Sequence, residues 1–265
     1  MNLNSKPKIG PQEGLIQPRR TKTDPSVDPD VILAFIKTDL DYLMRLFPDQ
    51  KAQSYDQGFF RFFKFALDYP AGITLAGPLL GAPQAVMAME KLIALGGQRF
   101  WALGWAGSLH PEIKIGDCII PTRAVCEEGT SAHYPILQTD PQTDPGLGAR
   151  LADALHAGRT AYHQGPVWTT DAPYRETPLK IEAYRQQGIL AVEMEMSALI
   201  TLALFRAVQV SGLLVISDEL AELKWKPGFH SAALKNGSQL ACRSLLKAIG
   251  IPLALRGCNP DFSGQ

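Results

Sequence analysis

The sequence predicts an α/β fold: a single domain with a mixed central sheet flanked by helices. Three observations point there. A chain of 265 residues is long enough for one substantial core. Short apolar runs that read as strands alternate with helix-length segments, and several runs are apolar at consecutive positions, as in strands covered on both faces. No repeat of 20–50 residues divides the chain, which removes solenoids and propellers.

Residues 1–30 are rich in proline, charge and polar groups, so they predict a flexible or surface-wrapping N-terminal arm. The domain is expected over 31–250, followed by a tail over 251–265. Order starts at VILAF (31–35), a buried strand. A helix capped by Thr38 follows, with Leu40, Leu43, Leu46 and Phe47 on its apolar side. In 55–69 phenylalanines interleave with Arg61 and Lys64, which reads as one amphipathic strand. Such interleaving can also bind single-stranded nucleic acid. The balance of 26 basic against 26 acidic residues supplies no field for it.

GITLAG (72–77) is a strand, GPLLGAP a turn, and 84–95 a helix that stops at Gly96-Gly97. RFWAL (99–103) is a strand, GWAGSLHPEIKIGD a turn and CIIPTRAV the next strand. Helices are expected near 147–157 and 178–187, with a strand ending in PVWTT between them. LAVEM and GLLVIS are strands, the latter broken at Asp218, and a last helix covers 230–249.

No apolar run approaches a bilayer span and no signal-like start is present, so a cytoplasmic location without a membrane partner is expected. The four cysteines lack metal-type pairing and the five histidines form no HExxH-like cluster, so no metal is expected. GxGxxG, GxxxxGK[ST] and GxSxG are all missing, so no dinucleotide or triphosphate cofactor and no serine nucleophile is expected.

Chemistry concentrates in LAVEMEMSAL (190–199). From Met194 to Phe205 the only charge is Glu195, so this helix has little solvated face and reads as buried. Glu193 and Glu195 therefore stand where carboxylates need donors, from the helix N-terminus or from a ligand carrying hydroxyls. Taken alone, they are equally well read as helix caps. In open α/β sheets ligands gather beyond the carboxyl ends of strands. GWAG, TTDAPYRET, EME and SDEL all fall at such edges. Asp218, at the end of an apolar strand, is a candidate general acid or a turn cap.

These residues resemble a family. AVEMEMSAL is similar to the signature of the nucleoside phosphorylases, which include uridine phosphorylase and the bacterial purine nucleoside phosphorylases, with methylthioadenosine nucleosidase as a hydrolytic relative. LGWAGSLHPEIKIGDCIIPTRAVCEEGTSAHY, GPLLGAPQAVMAMEKLIALG and VISDEL resemble further segments of that family, in consistent order over 31–249. The resemblance implies cleavage of an N-glycosidic bond. Glu195 would accept the ribose hydroxyls, Met194 would pack on the sugar, and Glu193 would lie close to sugar and base. Asp218 would protonate a purine-type leaving base, and Thr170, Tyr174 and Arg175 would fall at the base pocket.

Phosphate is the co-substrate implied, a nucleoside the small-molecule partner, and a homo-oligomer (dimer or hexamer) the assembly. The departures fall on the acceptor region, Gly104, Trp105 and Arg61. Where the phosphorylases carry an arginine and, three residues on, a phosphate-binding turn residue, this chain has Ala102 and Trp105. KTDLDY replaces a GDPDR-like loop, and Arg61 lies near a position where a neighbouring subunit's arginine would match. Each lost charge-assisted hydrogen bond costs about 1.5–3 kcal/mol. The alternatives are hydrolysis by water and non-catalytic nucleoside binding.

Overall fold

Among the residues that a computed structural model describes (14–47, 51–66, 72–137 and 141–251), ten strands join one mixed sheet and six α-helices cover it. In chain order they are β1 (Asp30–Ala34), α1 (Lys37–Arg45), β2 (Gln53–Asp56), β3 (Arg61–Phe65), β4 (Ile73–Ala76), α2 (Gly81–Leu95), β5 (Arg99–Ser108) and β6 (Cys118–Glu127). Then come α3 (Pro145–Ala157), β7 (Tyr162–Thr170), α4 (Pro178–Gln186), β8 (Ala191–Glu193), α5 (Met196–Arg206), β9 (Gln209–Glu219), β10 (Lys226–Pro227) and α6 (Ala232–Ile249).

The order β10-β9-β6-β7-β8-β5-β1-β4-β3-β2 carries one extra pairing, β9 with β5. That pairing closes β5, β9, β6, β7 and β8 into a ring, and an open wing of β1 to β4 leaves it from β5. Two cores result. One lies under α2 and α5 and contains Phe62, Met89, Phe100, Met196 and Leu199; the other lies under α1, α3 and α6 and contains Leu43, Trp101, Leu151, Leu213 and Leu245. Successive residues of β5 feed them alternately: Phe100, Ala102 and Ala106 go to the first, Trp101, Leu103 and Trp105 to the second.

The local signals act where they are strongest. α4 starts at Pro178 with Thr177 accepting from the Lys180 N–H, and α3 starts at Pro145 with Asp144 accepting from the Leu147 N–H. In α5 every residue from Met196 to Ala203 is buried, as its lack of charge predicts.

Four expectations are corrected. Thr38 does not cap α1; it lies inside the helix, which starts at Lys37 after an extended Ile36 that makes no side-chain cap. The stretch 55–69 is not one strand but the ends of a hairpin, β2 with β3, and its residues 67–69 lie outside the described ones. GWAG is not a turn: β5 continues through it to Ser108, paired along its length with β9. The strand GLLVIS is not broken at Asp218, which pairs with both Gly107 and Pro227. The physical reason for the GWAG misreading is tertiary. Gly104 passes the Phe35 ring so closely that a Cβ would stand 2.4 Å from its Cδ2, so glycine serves close approach and not chain reversal.

The arm wraps the surface from residue 14 onward: Lys91 of α2 donates to the Arg19 carbonyl at 2.8 Å and to Asp24 at 2.7 Å, and Val27 is buried. Residues 1–13 of the arm and 252–265 of the tail lie outside the described residues.

Gly104→Ala should overpack β5 against Phe35 and lower stability by about 1–3 kcal/mol, read as a shifted urea midpoint at unchanged slope. An unaltered midpoint would mean that Phe35 yields freely.

Candidate active site

The ring of strands sets a row of residues side by side: Asp218 on β9, Gly107 on β5, Val192 on β8 and Trp168 on β7. The register of β5 shifts between Ala106 and Gly107, a bulge that re-aims its end. A Cβ at Gly107 would meet Asp218 Oδ2 at 3.1 Å and Val192 Cγ1 at 3.3 Å. Glycine there lets the acid approach the strand that ends in Glu193.

Glu193 is the last residue of β8, beside Thr169 of β7. Its Oε1 accepts the Thr169 hydroxyl, and its Oε2 accepts the N–H groups of Glu195 and Met196, both at 2.7 Å. The Ser197 N–H goes to Thr169 Oγ1 at 2.9 Å. The capping of α5 is thus done by Glu193 and Thr169 together.

Glu195 precedes α5 but makes no side-chain cap on it. Its Oε1 instead accepts the Gly81 N–H at 2.6 Å, from the first turn of α2, 114 residues away in sequence. Met194, half-buried, lies between the two carboxylates.

Both glutamates are buried, and burial pushes each carboxyl upward. For Glu195 the charge of Glu193 adds to it, while the Gly81 and Met194 N–H groups pull the other way. For Glu193 the Thr169 hydroxyl and two backbone N–H groups oppose burial, and Glu128 adds a like charge. Glu128 is the third buried carboxylate here; it accepts the Ser197 hydroxyl at 2.9 Å and the Ser131 N–H at 3.0 Å.

Asp218 accepts the Ser217 hydroxyl at 2.7 Å on Oδ1 and the Trp225 indole N–H at 3.0 Å on Oδ2. Burial first, and then the charge of Asp218, push Glu176 up to about 7. Glu176 is the next-to-last residue of the TTDAPYRET segment and was not singled out from the sequence; nothing within that segment reveals that the charge of Asp218 reaches it. Thr170 of the same segment is buried, its hydroxyl accepting the Ala172 N–H at 3.2 Å. Tyr174 and Arg175 stand on the surface in a short 3₁₀ turn.

The acceptor residues separate from this group. Gly104 is buried on β5. Trp105 turns to the α1 and α6 side, where its Nε1–H donates to Ser238 Oγ at 3.0 Å. Arg61 is exposed on β3 and paired with Asp56 at 2.9 Å.

A closed ring of mixed strands, with an acid, two buried glutamates and a glycine bulge gathered at one edge, is a nucleoside-phosphorylase-like α/β fold. The chain matches the Phosphorylase superfamily over residues 29–249 and belongs to it. It is 27% identical over 148 residues to a guanosine phosphorylase of Halorubrum lacusprofundi, covering 56% of this chain and 61% of that one. It is 31% identical over 147 residues to a uridine phosphorylase of Thermococcus kodakarensis, covering 51% and 52%. The chain thus spans about half to two thirds of the length of these curated relatives. Solved structures of a uridine phosphorylase from Vibrio fischeri and of a purine nucleoside phosphorylase from Toxoplasma gondii share the fold, each with a TM-score of 0.75, at 24% and 23% identity. Each match covers 84% of this chain, and 92% and 90% of the two structures.

The raised carboxyls of Glu193 and Glu195 bind protons more tightly in the folded chain than in the unfolded one. Their contribution to stability is therefore fully present below the unfolded value of about 4.3 and is lost as pH rises through the folded values. Urea midpoints measured at pH 5 and pH 8 should fall less with pH in Glu195→Gln than in the parent. Parallel pH dependence in the two proteins would place the titrating group elsewhere.

Proposed function

We propose that this chain cleaves the N-glycosidic bond of a purine-type nucleoside, with Glu195 holding the ribose hydroxyls and Asp218 protonating the leaving base. The observation that carries this reading is the division of labour between the glutamates. Glu193 spends both oxygens on Thr169 and the helix cap, so Glu195 is not needed for capping. With one oxygen steadied by Gly81, Glu195 is a buried acceptor suited to a vicinal diol, which offers two O–H donors in fixed geometry.

Asp218 is two strand spacings from β8, on the order of 10 Å. That is comparable with the length of a sugar joined to a base. As the bond from C1′ to the base nitrogen breaks, its electron pair leaves with the base. Asp218 supplies the proton that neutralises it, and Glu176 is a neighbouring carboxyl from which Asp218 can be recharged. The sugar is left cationic and takes an acceptor. General acid assistance of this kind contributes roughly 10²–10⁴-fold.

The relatives' names imply phosphate as that acceptor. A second reading takes water, and one observation favours it. Where the resemblance expects cationic phosphate contacts, this chain has Ala102, the Trp105 indole and, within Thr38 to Tyr42, the buried carboxyl of Asp39. The resemblance also implies a homo-oligomer; the exposed Arg61 would reach a neighbouring subunit's site in it.

Free base released from a panel of ribosides, with and without phosphate, separates the readings. Release that requires phosphate supports phosphorolysis, phosphate-independent release supports water, and binding without turnover removes catalysis. Asp218→Asn should lower purine riboside turnover at least about tenfold. Glu195→Ala should abolish the preference for ribosides over 2′,3′-dideoxyribosides, and a surviving preference would return Glu195 to a purely structural role.

A further inference from the structure

Both oxygens of Asp218 accept from donors, and the two donors differ in kind. The Ser217 hydroxyl stands 2.7 Å from Oδ1 and 3.3 Å from the Ala106 carbonyl. A hydroxyl can turn, to donate to that carbonyl and accept from the acid, so Ser217 suits Asp218 protonated or ionised. The Trp225 indole N–H stands 3.0 Å from Oδ2 and can only donate. It favours an ionised acceptor there, the opposite of what a proton donor needs.

The two donors also differ in exposure. Ser217 and Ala106 are buried, whereas Trp225 is 62% exposed. Oδ2 is therefore the oxygen on the open side, and the indole is what covers it. Trp225 comes just before β10, a strand of two exposed residues, after a turn at Leu223, a non-glycine residue with φ 56°. Its ring leans on Phe229, with centroids 6.0 Å apart and planes at 56°.

We propose, on the reading of Asp218 as the acid, that Trp225 is a positioning residue that stands in for the leaving base. A purine N7 takes its place at Asp218 Oδ2, and that oxygen then holds and gives the proton. N7 is the remaining basic nitrogen of the five-membered ring once N9 carries the sugar. Protonation there neutralises the electron pair that the broken bond releases. The exchange replaces a donor-only group by an acceptor, which turns Oδ2 from acceptor to donor. One exposed hydrogen bond resists displacement by about tenfold in affinity or less, so a base with several contacts overcomes it. A base without N7 gains nothing by the exchange.

Other charged groups lie on the elements beside Asp218. Glu176 feels its charge, and Arg185 of α4 donates to the Ala221 carbonyl. Lys114 pairs with Glu219, Lys226 with Glu222, and His110 lies beside Glu112, while Lys224 acts on Glu222. Trp225→Phe alters none of them and keeps an aromatic ring.

The test uses the indole N–H resonances of the full chain, which has four tryptophans, with Trp225 assigned by its loss in Trp225→Phe. Saturating inosine should move the Trp225 resonance toward its position in Asp218→Ala, where the acceptor is gone. Bound 7-deazainosine, which lacks N7, should not. Trp225→Phe should tighten inosine binding about two- to tenfold, since the competitor is lost. It should also move the alkaline limb of the kcat/KM profile for inosine up by about half a pH unit or more, in the parent and in a Glu176→Gln background. Inosine binding that leaves the Trp225 resonance in place, equal responses to the two nucleosides, or an unmoved limb would each overturn the proposal while leaving Asp218 as the acid. A limb shift that disappears in Glu176→Gln would overturn it too, by assigning the limb to Glu176. Absence of binding by any purine riboside would remove the functional reading along with it.

Discussion

Two carboxylates meet at one helix N-terminus, and only one of them caps it. Because α5 is buried from Met196 to Ala203, its first N–H groups cannot turn to water. Glu193 takes those of Glu195 and Met196, and Thr169 takes that of Ser197. A lone buried carboxylate would be prohibitive, but one that accepts two N–H groups and a hydroxyl is tolerable. Only with the cap so satisfied can the second glutamate serve something else. Its bond to Gly81 then ties the start of α2 to the start of α5. The bidentate pair of Arg206 with Glu90, both bonds at 2.8 Å, ties the same two helices further along. The two helices over the first core are thereby fixed at both ends of their contact.

The second constraint is closure of the strand ring. If β9 stopped before Asp218, as the sequence suggests, the acid would sit in a loop and its distance from β8 would be unset. Pairing with Gly107 and with Pro227 instead holds it between two strands. The bulge at Ala106 and Gly107 falls where one edge of β5 passes from β1 to β8. A small residue is required at the bulge because the Asp218 oxygen and the Val192 side chain both crowd that point. The feature that looked like a turn is therefore the joint that holds Asp218 and the end of β8 in register.

What was legible in the chain was whatever has a local cause. The Pro178 helix, the apolar β1 and the charge-free run of α5 up to Phe205 each carry their signal within a dozen residues. The glutamate pair could be singled out, yet not divided into the one that caps α5 and the one that does not, because that division depends on Thr169 and Gly81, which are remote in sequence. Glu176 and Glu128 escaped notice for the same reason: each matters only through a partner on another element, Asp218 for one and Ser197 for the other. Glycine misled at GWAG because its absence of a side chain serves reversal and close approach alike, and only the neighbours Phe35 and Asp218 decide which. The alternation of strand and helix, by contrast, survives such local errors, which is why the fold was read correctly while several element ends were not.

The acceptor side shows how far a fold can be kept while one charge relationship changes. A phosphate cage needs cations close to the reacting sugar, since charge-assisted bonds weaken quickly with distance and with water. Here Trp105 turns away from the core that contains α5 and packs with Phe229 and Ser238. Asp39 follows it to that side, so the two segments that resemble phosphate-binding ones line a cavity without either glutamate. Arg45 and Lys235 are basic, but they belong to that same cavity and lie at its exposed edge. An anion held by them would be across the sheet from the core under α2 and α5, whose starts are joined by Glu195 and Gly81. The buried glutamate pair and the Trp105 side of the sheet therefore have separable physical requirements, and keeping the first places no demand on the second.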